Sequence, residues 1–217
     1  MFTSLGDSLA LRRIFGPVLI LLSNINNTDG VKWEADFRRF LRERKPWDFS
    51  GDTRGNLFPL KTINLNTGLI TGRNFCEKFL EYGVSISNEA SRVLTNPAFT
   101  VRPSNTGIAT IKLATAFAAE LGFKDKMTYS DICSRAKEFD MNICPIEVPL
   151  QLRLQYIMEQ PSNEELLICT NPVTDSKGNL YVFEVAAGGT CVYRLSIRRC
   201  NSTDLFEPES FWVFSIK

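Results

Sequence analysis

The period of the apolar residues changes once along this chain, near Ile143, and that change constrains the fold more than any other feature. Before it, apolar side chains recur at the three-to-four-residue spacing of helices facing a core. After it, β-branched and aromatic residues run between turn signals. Helices first and strands last predict an α+β fold, with N-terminal helices packed on one face of a mainly antiparallel C-terminal β-sheet, a meander. The 217 residues are enough for one large core or two small ones. The loop from Trp47 to Gly55 is the best internal boundary. The expected division is an N-terminal helical or extension segment over 1–55 and an α+β domain over 56–217, helical over 69–140 and β over 143–217.

Individual elements follow from the same patterns. Trp33, Phe37, Phe40 and Leu41 share one stripe of a helix over 31–45, stopped by Pro46. Leu60–Leu65 reads as a strand entering the turn Asn66-Thr67-Gly68. A helix over Arg73–Tyr82 ends at Gly83, and a second spans Ser87–Leu94. Ala98–Arg102 reads as a short strand. Ile108–Leu121 reads as a largely buried helix ended by Gly122. Thr128 begins a further helix, with Asp131 completing a capping box. Strands are expected at Leu166–Cys169, Leu180–Val185, Cys191–Ile197 and Phe211–Ile216, with a hairpin turn at Asp175–Asn179. The core is assigned to Phe79, Leu80, Phe117, Leu121, Phe183, Val185, Val213 and Phe214.

Composition removes several classes of chemistry. Histidine is absent, so Ser-His, Cys-His and His-metal sites are excluded. The six cysteines form no C-x-x-C pair, which argues against zinc knuckles and for free thiols in a reducing, cytoplasmic compartment. No tightly bound metal and no cofactor is expected, since neither a P-loop nor a dinucleotide fingerprint is present. The formal net charge of +1 gives no global attraction to nucleic acid or anionic membrane. The apolar run Ile14–Leu22 after Arg12-Arg13 is too short to span a bilayer and fits a signal only loosely.

Two places could bind a partner. Arg38, Arg39 and Arg42 crowd one end of the 31–45 helix and could grip phosphates, although Glu34, Asp36 and Glu43 offset them. In Leu150–Tyr156, polar and apolar residues alternate, so Gln151, Arg153 and Gln155 would line one face of an extended segment and could hold an anion or a partner; an edge strand's polar outer face explains the same pattern. The helix pair around Gly83 has the separation of a helix-turn-helix, but Glu89 and Arg92 stand where apolar residues are wanted.

Several segments together carry a resemblance: Ala119–Phe123, Ile143-Cys144-Pro145, Glu147-Val148, Leu152–Tyr156, Gln160-Pro161, Glu165–Ile168, Pro172–Asn179 and Val182-Phe183. In order and spacing they resemble a bacterial protein family with no established activity, over roughly residues 60 to 217. The resemblance implies a bacterial cytoplasmic origin and carries over no catalytic residue. Where such proteins are expected to have an acidic, glycine-rich stretch after the Phe183 strand, this chain has Ala186–Gly189 and then Arg194, Arg198 and Arg199.

The reading that results is a non-enzymatic binding or interaction module with a protein or small-molecule partner. The alternatives are a hydrolase or nuclease using carboxylates and magnesium, and a local nucleic-acid binder acting through the 31–45 helix. Whether the chain is an enzyme stays open at this point.

Overall fold

A computed structural model of the chain describes residues 58–101, 108–188 and 192–216. The helix expected over 31–45 with Arg38, Arg39 and Arg42, the segment 1–55 and the apolar run Ile14–Leu22 lie outside the described residues. What is described is an α+β fold of mixed sheet and four α-helices.

In chain order the elements are β1 (Phe58–Leu65), α1 (Gly72–Glu81), β2 (Ser85–Ile86), α2 (Asn88–Leu94), β3 (Ala109–Phe117), β4 (Met127–Thr128) and α3 (Tyr129–Glu138). They continue with α4 (Val148–Gln155), β5 (Glu165–Ile168), β6 (Val173–Thr174), β7 (Leu180–Ala187), β8 (Tyr193–Arg199), β9 (Leu205–Phe206) and β10 (Phe211–Ile216). The main sheet runs β1-β3-β10-β5-β7-β8-β2, with β6 also on β7; β4 and β9 pair separately. β7 and β8 form the expected hairpin, and the turn before β7 is built as its residues require. Asp175 accepts from the Lys177 and Asn179 amides, and Gly178 takes a φ of +82°.

The strand order departs from a meander. β10 inserts between β3 and β5, antiparallel to the first and parallel to the second. Its sequence accounts for this: Trp212 and Phe214 point to one face and Val213 to the other, all fully buried, so the strand needs cover on both sides. The helices supply that cover. Phe75 and Phe79 of α1, Leu94 of α2 and Leu152 of α4 share a core with Ile168, Phe183 and Val213. Ile132 and Ala136 of α3 share a second core with Leu167, Val182, Trp212 and Phe214. Alternate residues of the same strands thus feed two cores, and helices lie on both faces rather than one.

Further expectations are corrected. Residues 109–117 form strand β3 instead of a helix, followed by a single 3-10 turn over Ala118–Leu121. β3 bonds to β1 and β10 on its two sides, and its residues 113–116 are buried on both faces, so the apolar spacing there fits a strand as well as a buried helix. Residues 148–155 form helix α4 instead of an extended segment. Pro149 sits in its first turn, where a missing amide costs nothing. Leu80 is 81% exposed because the inward stripe of α1 is Gly72, Phe75 and Phe79; Phe117, at the end of β3, is 36% exposed and stacks on Phe211 at 4.3 Å. The helix pair around Gly83 is joined through β2, a strand paired with β8, which ties it into the sheet. At the position of the short strand expected near residue 100, only the isolated bridge Thr71–Thr100 forms.

Candidate functional site

The row Glu147, Gln151 and Gln155 has the four-residue spacing of one helix face, and it lies along the outer edge of β1. The Asn66 amide donates to Glu147 Oε1 at 2.8 Å. Gln151 Nε2 donates to Thr67 Oγ1 at 2.6 Å and to Glu147 Oε1 at 2.9 Å. Gln155 Nε2 donates to the Asn64 carbonyl at 2.8 Å and to Gln151 Oε1 at 3.0 Å, while Gln155 Oε1 accepts the Asn64 amide at 2.9 Å. A sheet edge exposes unpaired backbone groups that invite another strand. Here helix side chains occupy them.

Arg153 points elsewhere. Two residues along a helix differ by roughly 200°, so Arg153 leaves the row of the two glutamines and enters the space against β7 and β8. It is fully buried, with Nη1 donating to Gln160 Oε1 at 2.6 Å and to the Ala186 carbonyl at 3.1 Å, and its guanidinium lies 5.1 Å from the Tyr193 ring centre. Nε and Nη2 have no hydrogen-bond partner, and neither has Glu164 Oε2. Burial pulls the Arg153 value down to about 10, offset in part by Tyr193 and Glu164. Burial likewise pushes Glu164 up to about 7, against the hydrogen bonds of Gln160 and Tyr156 and the Arg153 charge. Of the three residues picked out in this stretch, the structure joins Gln151 to Gln155 and separates Arg153 from both.

On the opposite face of the sheet lies a cavity of about 400 Å³ lined by Tyr129, Cys133, Ile143, Thr170, Pro172, Leu180 and Cys200, with Ser130, Asn171, Asn201 and Ser202 among its polar lining residues. Its position follows from local sequence signals. Thr128 caps α3, its hydroxyl accepting the Asp131 amide and the Asp131 carboxylate accepting the Thr128 amide, as the capping box predicts. That cap starts the helix so that Tyr129, Ile132, Cys133 and Ala136 face the sheet. The Tyr129 hydroxyl donates to the Thr170 carbonyl and lies 3.4 Å from Cys169 Sγ; Cys133 Sγ lies 3.7 Å from Cys169 Sγ. The Thr170 hydroxyl, fully buried, has no partner.

The thiols here differ in character. Hydrogen bonding from Cys169 holds Cys133 down at about 7, helped by Tyr129 and by the charge of Lys137 one turn on, and opposed by burial. Cys169 is pushed strongly up by its bond to Cys133 and by burial. Burial raises Cys200 to about 12. A second, more polar cavity of about 260 Å³ lies between α2 and the 175–179 turn, beside Arg92, Asp175 and Lys177. The Asp175 carboxylate there is held down to about 2, chiefly by the Asn179 side chain, with burial opposing and the turn amides adding to the effect.

Sequence reasoning did not single out Cys133, Cys169, Tyr129 or Thr170 as site residues. No motif links Cys133 to Cys169 across 36 residues of chain, and only the packing of α3 on β5 joins them. For α4, the four-residue spacing of Glu147, Gln151 and Gln155 was the available sign of a helix.

Fold and site together define an α+β protein with a thiol-bearing cavity on one face of the sheet and a buried arginine on the other. No family model, no curated protein and no solved structure matches the chain. Among the described residues no helix is long and apolar enough to cross a membrane.

Proposed function

We propose that this protein is a non-enzymatic binding module for a small, mostly apolar molecule carrying one hydrogen-bonding group, held in the cavity beside Tyr129 and Thr170. The observation that carries this reading is the chemistry of the wall. Tyr129, Ile143, Pro172 and Leu180 supply apolar surface, and the exposed Ser130 and Asn171 supply polar groups, around a volume of about 400 Å³. Ligand pockets combine these features, and their volumes run from roughly 300 to 1,000 Å³.

The carboxylate and magnesium alternative draws no support from the described residues, where no three acids or thiols converge in a way that could hold a metal ion. The nucleic-acid alternative depends on Arg38, Arg39 and Arg42, outside the described residues. A bacterial cytoplasmic setting accompanies the proposal; it rests on the resemblance described above and on the free thiols at Cys76, Cys133, Cys144, Cys169 and Cys200.

Ligand-observed NMR with indole and p-cresol as probes tests the reading. Saturation transfer from protein to at least one probe is expected, and its loss in a Ser130→Trp variant, where the exposed Ser130 gives way to a ring that fills the mouth. No transfer, or equal transfer in the variant, overturns the binding site. Conversion of either probe by the protein overturns the non-enzymatic reading.

A further inference from the structure

We infer that Cys133 and Cys169 form a redox pair, in which a hydroperoxide entering the cavity oxidises Cys133 and Cys169 then closes a Cys133–Cys169 disulfide. The inference stands on geometry, and it holds whether or not the cavity takes an organic ligand. The sulfurs are 3.7 Å apart, in contact and on separate elements, α3 and the end of β5. A disulfide needs them at about 2.05 Å, a shift of less than ~2 Å.

Exposure and position in the hydrogen-bond chain give the two thiols different roles. Tyr129 has one hydroxyl proton, committed to the Thr170 carbonyl. Toward Cys169 the tyrosine oxygen can therefore only accept, and across the Cys133–Cys169 contact either sulfur can donate. Cys133 stands at the outer end of the chain, beyond Cys169. It is also the half-exposed member of the pair and lines the cavity, whereas Cys169 is fully buried. The depressed Cys133 value and the Lys137 charge agree with this assignment. An accessible, thiolate-prone sulfur in contact with a shielded partner is the arrangement in which oxidation is reversible.

The chemistry balances in two steps. The Cys133 thiolate attacks the terminal peroxide oxygen, the O–O bond breaks, and the departing alkoxide or hydroxide takes a proton, leaving a sulfenic acid. Cys169 sulfur then attacks the Cys133 sulfur. Its S–H proton goes to the departing hydroxide, which leaves as water, and the S–S bond forms. Two thiols are oxidised and one peroxide is reduced.

The full chain, reduced and desalted, is treated with hydrogen peroxide and read by intact mass and by non-reducing peptide mapping. The expected result is a product lighter by two hydrogens, a peptide pair joined through Cys133 and Cys169, and full reversal by dithiothreitol. A Cys169→Ser variant should stop at a Cys133 sulfenic acid that dimedone traps, and Cys76→Ser, on the other core, should behave as wild type. No disulfide, a bridge between any other pair, or loss of two hydrogens in Cys169→Ser overturns the inference. The wild-type map decides the matter even where a variant fails to fold.

Discussion

The side-chain amide of Gln155 satisfies both backbone groups of Asn64, donating to its carbonyl at 2.8 Å and accepting its amide at 2.9 Å. It does for the edge of β1 what one residue of a further strand would do. In the β1–β3 register Asn64 faces Thr110, and its backbone groups turn away from β3 toward α4.

Replacing Gln155 with alanine should therefore have two effects. Two hydrogen bonds to the backbone are lost, costing on the order of 1–2 kcal/mol. The opened edge should also promote association. Denaturant unfolding reads the first and light scattering at rising protein concentration reads the second. An unchanged midpoint with a strictly monomeric variant would show that water serves the edge equally well.

Gly72 begins α1 against the backbone of Leu94 in α2. A Cβ there would stand 2.0 Å from the Leu94 carbonyl oxygen, and a backbone atom cannot swing aside as a side chain can. Gly72→Ala should destabilise by about 1–3 kcal/mol or more through forced separation of the two helices. Thermal unfolding tests this, and a loss below about 0.5 kcal/mol would contradict the packing.

Arg153 and Gln160 should respond asymmetrically to truncation. The guanidinium is buried with two of its nitrogens unpartnered, so Arg153→Met trades an incompletely satisfied charge for packing and should lie within about 1 kcal/mol of wild type or above it. Gln160→Leu strips a partner from Arg153 and from the Val185 carbonyl, and should cost about 1–3 kcal/mol. Urea unfolding of the singles and of the double variant separates the two, with the double expected to be less damaged than Gln160→Leu alone.

Glu164 makes stability depend on pH in a defined direction. Its folded value, about 7, lies above the ordinary 4.5, so the folded state holds the proton more tightly. The stabilisation from the neutral carboxyl is complete below about 4.5 and is lost as pH rises through about 7. Relative to Glu164→Gln, the wild type should lose on the order of 1–3 kcal/mol across that window. Parallel curves for the two proteins from pH 4 to 8 would remove Glu164 from the account.

The two faces of the sheet also rank the aromatic and aliphatic residues that looked alike in the sequence. Phe183→Ala should cost about 3–5 kcal/mol, because the ring is fully buried, while Leu80→Ala on the outer face of α1 should stay within about 0.5 kcal/mol.

What the chain determined by itself is what neighbouring residues decide. The capping box at Thr128 and Asp131, the start of α2 at Ser87, the Asp175–Asn179 turn and the strands expected at 166–169, 180–185 and 211–216 formed within a residue or two of where local pattern put them. The identity of 109–117 as a strand, α4 as a helix, and the place of β10 inside the sheet were decided by tertiary structure. In 109–117 and 211–216 consecutive residues are buried, and burial on both sides erases the period that tells helix from strand; in α4 the buried Gln151 and Arg153 between leucines imitate the alternation of a strand. The thiol pair and the buried arginine belong with them: sulfurs 36 residues apart, and a guanidinium held by a glutamine in the loop after α4 and a carbonyl of β7, meet only once the layers have packed.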